Sequence, residues 1–227
     1  MTKIKLLCLH GAGCNGNILR NQLAPLARAF GGGGGVDFHC VSAPNEVDEA
    51  PGVAAYYSGP YLSWLEFPKT DTDQAIPTAN LDAAMEYIDE IVEEDGPFNG
   101  ILGFSQGATM AFCYLHHRLR MRPFDPPFIP FACAIFISAS GTAKDQSTLV
   151  EYIGSTGRNI TIPTLHVYGK QDVDSEAAMT MYEHCKAGDS EFVLHPHGHA
   201  IPTDAESVQR IVQAIKAVER KSATRIF

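Results

Sequence analysis

The amino-acid sequence predicts an α/β fold, with a mainly parallel sheet of about six strands, helices on both faces and a lid-like insertion over residues 44–79. Three observations predict it. Short apolar runs alternate with longer segments of helical period, the pattern of strands joined by crossover helices. Several of those runs are apolar almost throughout, as strands covered on both faces are. One long stretch, 44–79, has neither period and is rich in Pro, Gly, Asp and aromatic residues.

In chain order, the expected strands are Lys3 to Leu9, Val36 to Val41, Gly100 to Phe104, Phe131 to Ser138, Thr164 to Tyr168 and Glu191 to Leu194. Gly31 to Gly35 is a run of consecutive glycines that cannot hold regular structure cheaply, so it belongs in the loop between a first helix and the second strand. Leu81, Ala84, Met85, Ile88, Ile91 and Val92 recur at helical spacing, and Gly96-Pro97 stops that helix before the next strand. Gln106 to Leu119, Asp174 to Lys186 and Asp204 to Ser222 read as further helices. The last has Thr203 or Asp204 as a cap and Val208, Ile211, Ile215 and Val218 on one stripe. In the long insertion, Tyr56, Tyr57, Tyr61, Trp64 and Phe67 either pin the segment to the body or meet a ligand, with Tyr61 and Trp64 as the candidate substrate contacts.

Composition narrows the function. A chain of 227 residues with 45% hydrophobic content is expected to form one domain, 1–227. Its net charge of −9, with basic residues scattered apart from a few near Arg118 to Arg122, argues against nucleic acid or an anionic membrane as partner. The run Ile4 to Leu9 is too short for a signal peptide's apolar region, and no stretch approaches a spanning helix, so a cytoplasmic protein is expected. The six cysteines lie far apart without CxxC pairs and are expected to be reduced and mostly buried.

The chemistry begins at Gly103-Phe104-Ser105-Gln106-Gly107, a G-x-S-x-G sequence between an expected strand and an expected helix. A strand that turns at once into a helix strains the backbone at the serine, and the flanking glycines let neighbouring backbone pass without a Cβ clash. The hydroxyl of Ser105 then stands exposed at a helix N-terminus, where free N–H groups favour developing negative charge. A serine capping a helix after a glycine turn would fit the same five residues, but the strand and helix on either side match the nucleophile elbow of an α/β-hydrolase, whose other two catalytic groups follow in the order acid, then base.

Asp172 directly follows the strand Thr164 to Tyr168, which puts it at the carboxyl edge of the sheet. Asp174 competes with it, but Asp174-Ser175 has the look of a helix cap, so Asp172 is the preferred acid. For the base, His195, His197 and His199 all lie after the last strand, and Gly198 gives His199 the backbone freedom to turn back over the edge. Three imidazoles at alternate positions also invite a metal, but Pro196 and Gly198 break a regular strand and no HExxH helix accompanies them, so no metal is expected.

An acyl-transfer site needs two donors for its oxyanion. The N–H of Gln106 is one, and the N–H of Ala12, in the turn His10-Gly11-Ala12-Gly13 after the first strand, is the other. Gly11-Ala12-Gly13 also suggests a dinucleotide site, but the second strand ends in His39-Cys40 rather than an acidic residue, so no cofactor is expected.

Together these pieces resemble the FSH family of fungal serine hydrolases, which are small α/β-hydrolases. The resemblance is carried by Leu9 to Cys14, Gly59-Pro60-Tyr61-Leu62-Ser63-Trp64, Gly103 to Gly107, Ile162 to His166 with Gly169 and Asp172, and His199-Ala200-Ile201-Pro202, and it spans nearly the whole chain. Within the family the first, second and fourth pieces are most similar to thioesterases of fungal polyketide clusters. The glycine run departs from the family pattern without touching these residues. The resemblance implies that Ser105, Asp172 and His199 form the triad and that the substrate is an acyl ester or thioester; which acyl chain is bound does not follow from these motifs, and the acyl-carrier domain of a polyketide synthase is the expected partner for a thioester. The same residues would serve a general carboxylesterase or an acyltransferase, and a non-catalytic ligand-binding module would keep the same fold.

Overall fold

The computed structural model describes residues 3–31, 35–65, 78–121, 129–140, 160–173, 175–185 and 189–223. The middle of the glycine run, Phe67 with the rest of 66–77, and Asp174 lie outside them.

Six parallel strands, β1 (Ile4–Leu9), β2 (Val36–Val41), β5 (Gly100–Phe104), β6 (Cys133–Ile137), β7 (Thr164–Gly169) and β8 (Glu191–His195), form one sheet in the order β2-β1-β5-β6-β7-β8. Two helices, α1 (Gly16–Gln22) and α2 (Ala24–Ala29), link β1 to β2, and α3 (Thr78–Asp95), α4 (Gln106–Met121), α5 (Ser175–Cys185) and α6 (Ala205–Ala223) follow. Every strand expected from the sequence is present, and the helices after residue 77 lie where the periodicity puts them.

Side-chain alternation along the strands divides the core in two. Leu7, Leu9, Ile101, Ala134 and Phe136 point to one face and pack with Met85 and Ile88 of α3, Phe112 of α4 and Met181 of α5. Leu6, Cys8, Leu102, Ile135 and Ile137 point to the other and pack with Leu19 of α1, Leu26 of α2 and the stripe Val208, Ile211, Ile215 and Val218 of α6. Both layers are needed because β5, β6 and β7 are buried along their whole length. Each fully buried aliphatic side chain in them is worth roughly 2 kcal/mol. Asp204, not Thr203, caps α6: its Oδ1 accepts from the Ser207 N–H at 2.9 Å.

The structure departs from the sequence reading in two places. The expected first helix is two helices, broken between Gln22 and Ala24, with Pro25 in the first turn of the second, where its missing N–H costs nothing. The insertion also holds a small antiparallel pair, β3 (Asn45–Glu46) with β4 (Leu62–Ser63), each strand too short to show a period in sequence. All six cysteines are buried and unpaired. No helix among the described residues is long and apolar enough to cross a membrane.

The order β2-β1-β5-β6 places a switch point between β1 and β5, where the chain turns away on opposite sides of the sheet. The crevice outside the carboxyl ends of those two strands is where open α/β sheets bind ligands. His10 to Gly13 leave β1 there, and Ser105 leaves β5 there.

Candidate active site

At the end of β5 the chain reverses within one residue. Ser105 has φ +55°, in the left-handed region a serine pays to occupy, while its N–H donates to the Ile137 carbonyl at 3.0 Å. The glycines make this possible. A Cβ on Gly103 would lie 2.2 Å from the Gly107 carbonyl oxygen, and one on Gly107 would lie 2.1 Å from the Leu9 carbonyl oxygen. The motif spacing therefore fixes a contact between elbow and β1 that no other residue permits.

The loops after β7 and β8 bring the other two groups in. Ser105 Oγ is 2.9 Å from His199 Nε2, and His199 Nδ1 is 3.1 Å from each oxygen of Asp172. The Asp172 side chain is 2% exposed and that of His199 is 32% exposed, so the carboxylate is held inside the protein while the imidazole edge reaches the cleft. A carboxylate only accepts, so Nδ1 carries the imidazole proton and bare Nε2 faces the hydroxyl.

Neither competing histidine joins this relay in the hydrogen bonds among the described residues. His197 Nε2 lies 2.7 Å from Asp204 Oδ2. His195 is fully buried, and burial pulls its pKa below the ordinary histidine range, His197 adding to the effect. Among the described residues no group of three or more His, Cys, Asp or Glu side chains is arranged to hold a metal ion.

Ala12 and Gln106 both line the same cleft as Ser105, and among the described residues neither main-chain N–H has a hydrogen-bond partner. Free amides beside a nucleophile are what an oxyanion requires. The turn carrying Ala12 is set by His10, which the sequence offers only as the first letter of a glycine turn. Its Nδ1–H donates to the Gly11 carbonyl at 2.7 Å, and its Nε2 accepts from the Ala43 N–H at 3.0 Å. That pattern needs a neutral ring, and burial lowers the His10 pKa to about 4.

Ser140 was not legible either. Ser105 Oγ is 3.3 Å from Ser140 Oγ, and the Thr109 hydroxyl donates to the Ser140 carbonyl at 2.5 Å. Ser140 follows β6, and only the sheet order, which sets β6 beside β5, brings it to the nucleophile.

The cleft is a cavity of about 810 Å³ with Pro25, Val53, Tyr57, Leu65, Met110 and Ile201 in its walls. Among the described residues lining it, none is Asp, Glu, Lys or Arg. The insertion does contribute, but through Ala50, Pro51, Val53, Tyr57 and Leu65 rather than the two aromatics expected to meet substrate. Trp64 is fully buried and Tyr61 turns its hydroxyl to the Tyr57 carbonyl at 2.8 Å; neither lines the cavity.

Comparison with known proteins shows the family and the fold. The chain is 32% identical to hydrolase phiM of Talaromyces stipitatus over 219 residues, covering 93% of this chain and 86% of that protein. It is 31% identical to esterase FPY3 of Fusarium mangiferae over 229 residues, covering 96% and 98%. Among solved structures, acyl-protein thioesterase 2 of Zea mays superposes with a TM-score of 0.63 at 20% identity, covering 96% of this chain and 95% of that one, which shows a shared α/β-hydrolase fold. A family model described as "Serine hydrolase (FSH1)" matches residues 1–211, and the chain belongs to that family of serine hydrolases.

Proposed function

We propose that this serine hydrolase cleaves acyl thioesters or esters with Ser105 as nucleophile, His199 as general base and acid, and Asp172 as the group that orients the imidazole. The observation that carries the reading is the relay itself, Ser105 Oγ to His199 Nε2 at 2.9 Å and His199 Nδ1 to Asp172 at 3.1 Å. In the first step the Ser105 hydroxyl passes its proton to His199 Nε2 as Oγ bonds to the acyl carbon. The resulting oxyanion sits on the Ala12 and Gln106 amides. The C–S or C–O bond then breaks, and the leaving group takes the proton from His199. Water repeats the sequence on the acyl-enzyme and releases the acid.

The substrate in this proposal is a polyketide or other acyl chain, presented as a thioester by the acyl-carrier domain of a polyketide synthase. Its support is the motif resemblance and a cleft whose described lining includes no Asp, Glu, Lys or Arg, which suits an apolar chain. The chain would act as one domain, in keeping with relatives matched almost end to end, and in the cytoplasm. No cofactor enters the mechanism.

The test has two arms. Ser105→Ala is expected to lose several orders of magnitude in hydrolysis of a p-nitrophenyl ester and all labelling by a fluorophosphonate. Acyl-thioesters and simple esters of the same chain are then compared, with mass spectrometry for an acyl adduct on Ser105. Undiminished turnover by the alanine variant would end the proposal; a strong preference for simple esters would remove its thioester half and leave a general carboxylesterase.

A further inference from the structure

The two amides assigned to the oxyanion come from parts of the chain separated by nearly half its length, and their spacing must be fixed by something. The geometry points to Trp64 as the clamp between them, a positioning residue for the oxyanion hole rather than a substrate contact; this rests on the proposed acyl-transfer mechanism.

Trp64 reaches both sides at once. Its indole N–H donates to the His10 carbonyl at 2.8 Å, at the root of the turn that presents Ala12. Its main-chain N–H donates to Gln106 Oε1 at 3.1 Å, so the side chain of Gln106 anchors the residue whose own amide is the second donor. The ring is fully buried and its centroid lies 5.3 Å from that of His10. Flanking bonds extend the same strap: Gly13 N–H donates to the Leu62 carbonyl at 3.0 Å and Leu62 N–H to the Cys14 carbonyl at 2.8 Å. The Ser63 hydroxyl is also within 3.1 Å of Gln106 Oε1.

A strap of this kind acts on the transition state and not on binding. Donors in an oxyanion hole work only when held where the oxygen will be, and the ground-state carbonyl feels them weakly. Trp64 itself does not line the cleft. Loosening the clamp therefore lowers kcat and leaves KM in place. It also explains why the piece Gly59 to Trp64 carries a motif although its aromatic residues do not face the cleft.

The experiment compares Trp64→Phe, which removes only the indole donor and part of the ring, with Gln106→Met, which removes the acceptor on the other side. Each is assayed on an acyl ester and titrated with phenylboronic acid, whose tetrahedral adduct on Ser105 places an oxygen in the hole, alongside Ser105→Ala. Each single variant is expected to lose about tenfold in kcat and in boronate affinity together, with KM within about twofold of wild type. The double variant is expected to fall little below either single, because one break already opens the clamp. Thermal melts identify a variant that has merely unfolded, and the other variant then carries the test. Folded variants with wild-type kcat and boronate affinity would overturn the inference, as would a raised KM at unchanged kcat, which marks a substrate contact. Full turnover by Ser105→Ala is a different failure, since it ends the proposed mechanism and the clamp with it.

Discussion

The Lys170 N–H donates to the His195 carbonyl at 2.8 Å, one step beyond the last paired residues of β7 and β8, Gly169 and His195. The ladder does not stop there: the Gln171 N–H donates to the His197 carbonyl at 3.2 Å. The loop that carries Asp172 and the loop that carries His199 are thus zipped together by main-chain bonds. The two side chains meet with little freedom left to lose, which is how a carboxylate orients an imidazole at low entropic cost.

Asp172→Asn is expected to keep the fold and lose activity. The amide fills the same buried space, but its NH₂ group offers a donor where the imidazole Nδ1–H needs an acceptor. The ring then turns its proton toward Ser105 and cannot accept one. On the proposed mechanism kcat falls by about 10⁴-fold with little change in the melting temperature. Steady-state kinetics and a thermal melt on the same sample check both halves.

Ile215→Ala tests the layer that supports the sheet from the far side. Ile215 is 1% exposed on the apolar stripe of α6, packed under the sheet face formed by Leu102, Ile135 and Leu165. The deletion leaves a cavity that close-packed neighbours fill only in part, and the expected loss is about 3 kcal/mol. Urea unfolding reads it as a lower midpoint at unchanged slope. An undiminished midpoint would show that α6 contributes little to the sheet.

Much of this architecture is visible in the sequence because strands buried on both faces must be apolar throughout, and the G-x-S-x-G spacing has no cheaper explanation than the Gly107 to Leu9 contact. Asp172 and His199 are legible for a related reason: a residue just past a parallel strand has to stand at the carboxyl edge. Trp64 is not legible as a clamp. Its partners, the His10 carbonyl and the Gln106 side chain, are 54 and 42 residues away and leave no periodic trace. Ser140 is hidden likewise, since its place beside Ser105 follows from sheet order and not from any local pattern.

Gly107→Ala asks whether the elbow tolerates a single methyl group. The added Cβ would lie 2.1 Å from the Leu9 carbonyl oxygen and 2.5 Å from its carbon, both main-chain atoms of a central strand that cannot swing aside. Either β1 separates from α4 or the elbow opens. A destabilisation of about 3 kcal/mol or more is expected, with loss of fluorophosphonate labelling even in the fraction that folds. Normal labelling would mean the turn relaxes without disturbing Ser105.

Stability is expected to fall as pH drops through the slightly acid range, for a reason separate from the carboxylates. Burial lowers the pKa of His10 to about 4, that of His116 to about 4, with His184 adding to the effect, and that of His166 to about 3. In the unfolded chain each returns to about 6.5. Above that pH both states hold neutral rings and nothing is lost. Between about 6.5 and 4 the unfolded state takes up protons that the folded state refuses, so unfolding gains on the order of 1 kcal/mol per histidine for each pH unit. His10 couples this to the site, because a protonated ring would lose the bond its Nε2 accepts from Ala43. Urea midpoints at pH 7.5, 6 and 5 should therefore decline steadily, and His10→Asn, which loses one of these groups, should decline less steeply. A flat series would mean that the three rings gain protons as readily inside the protein as outside it.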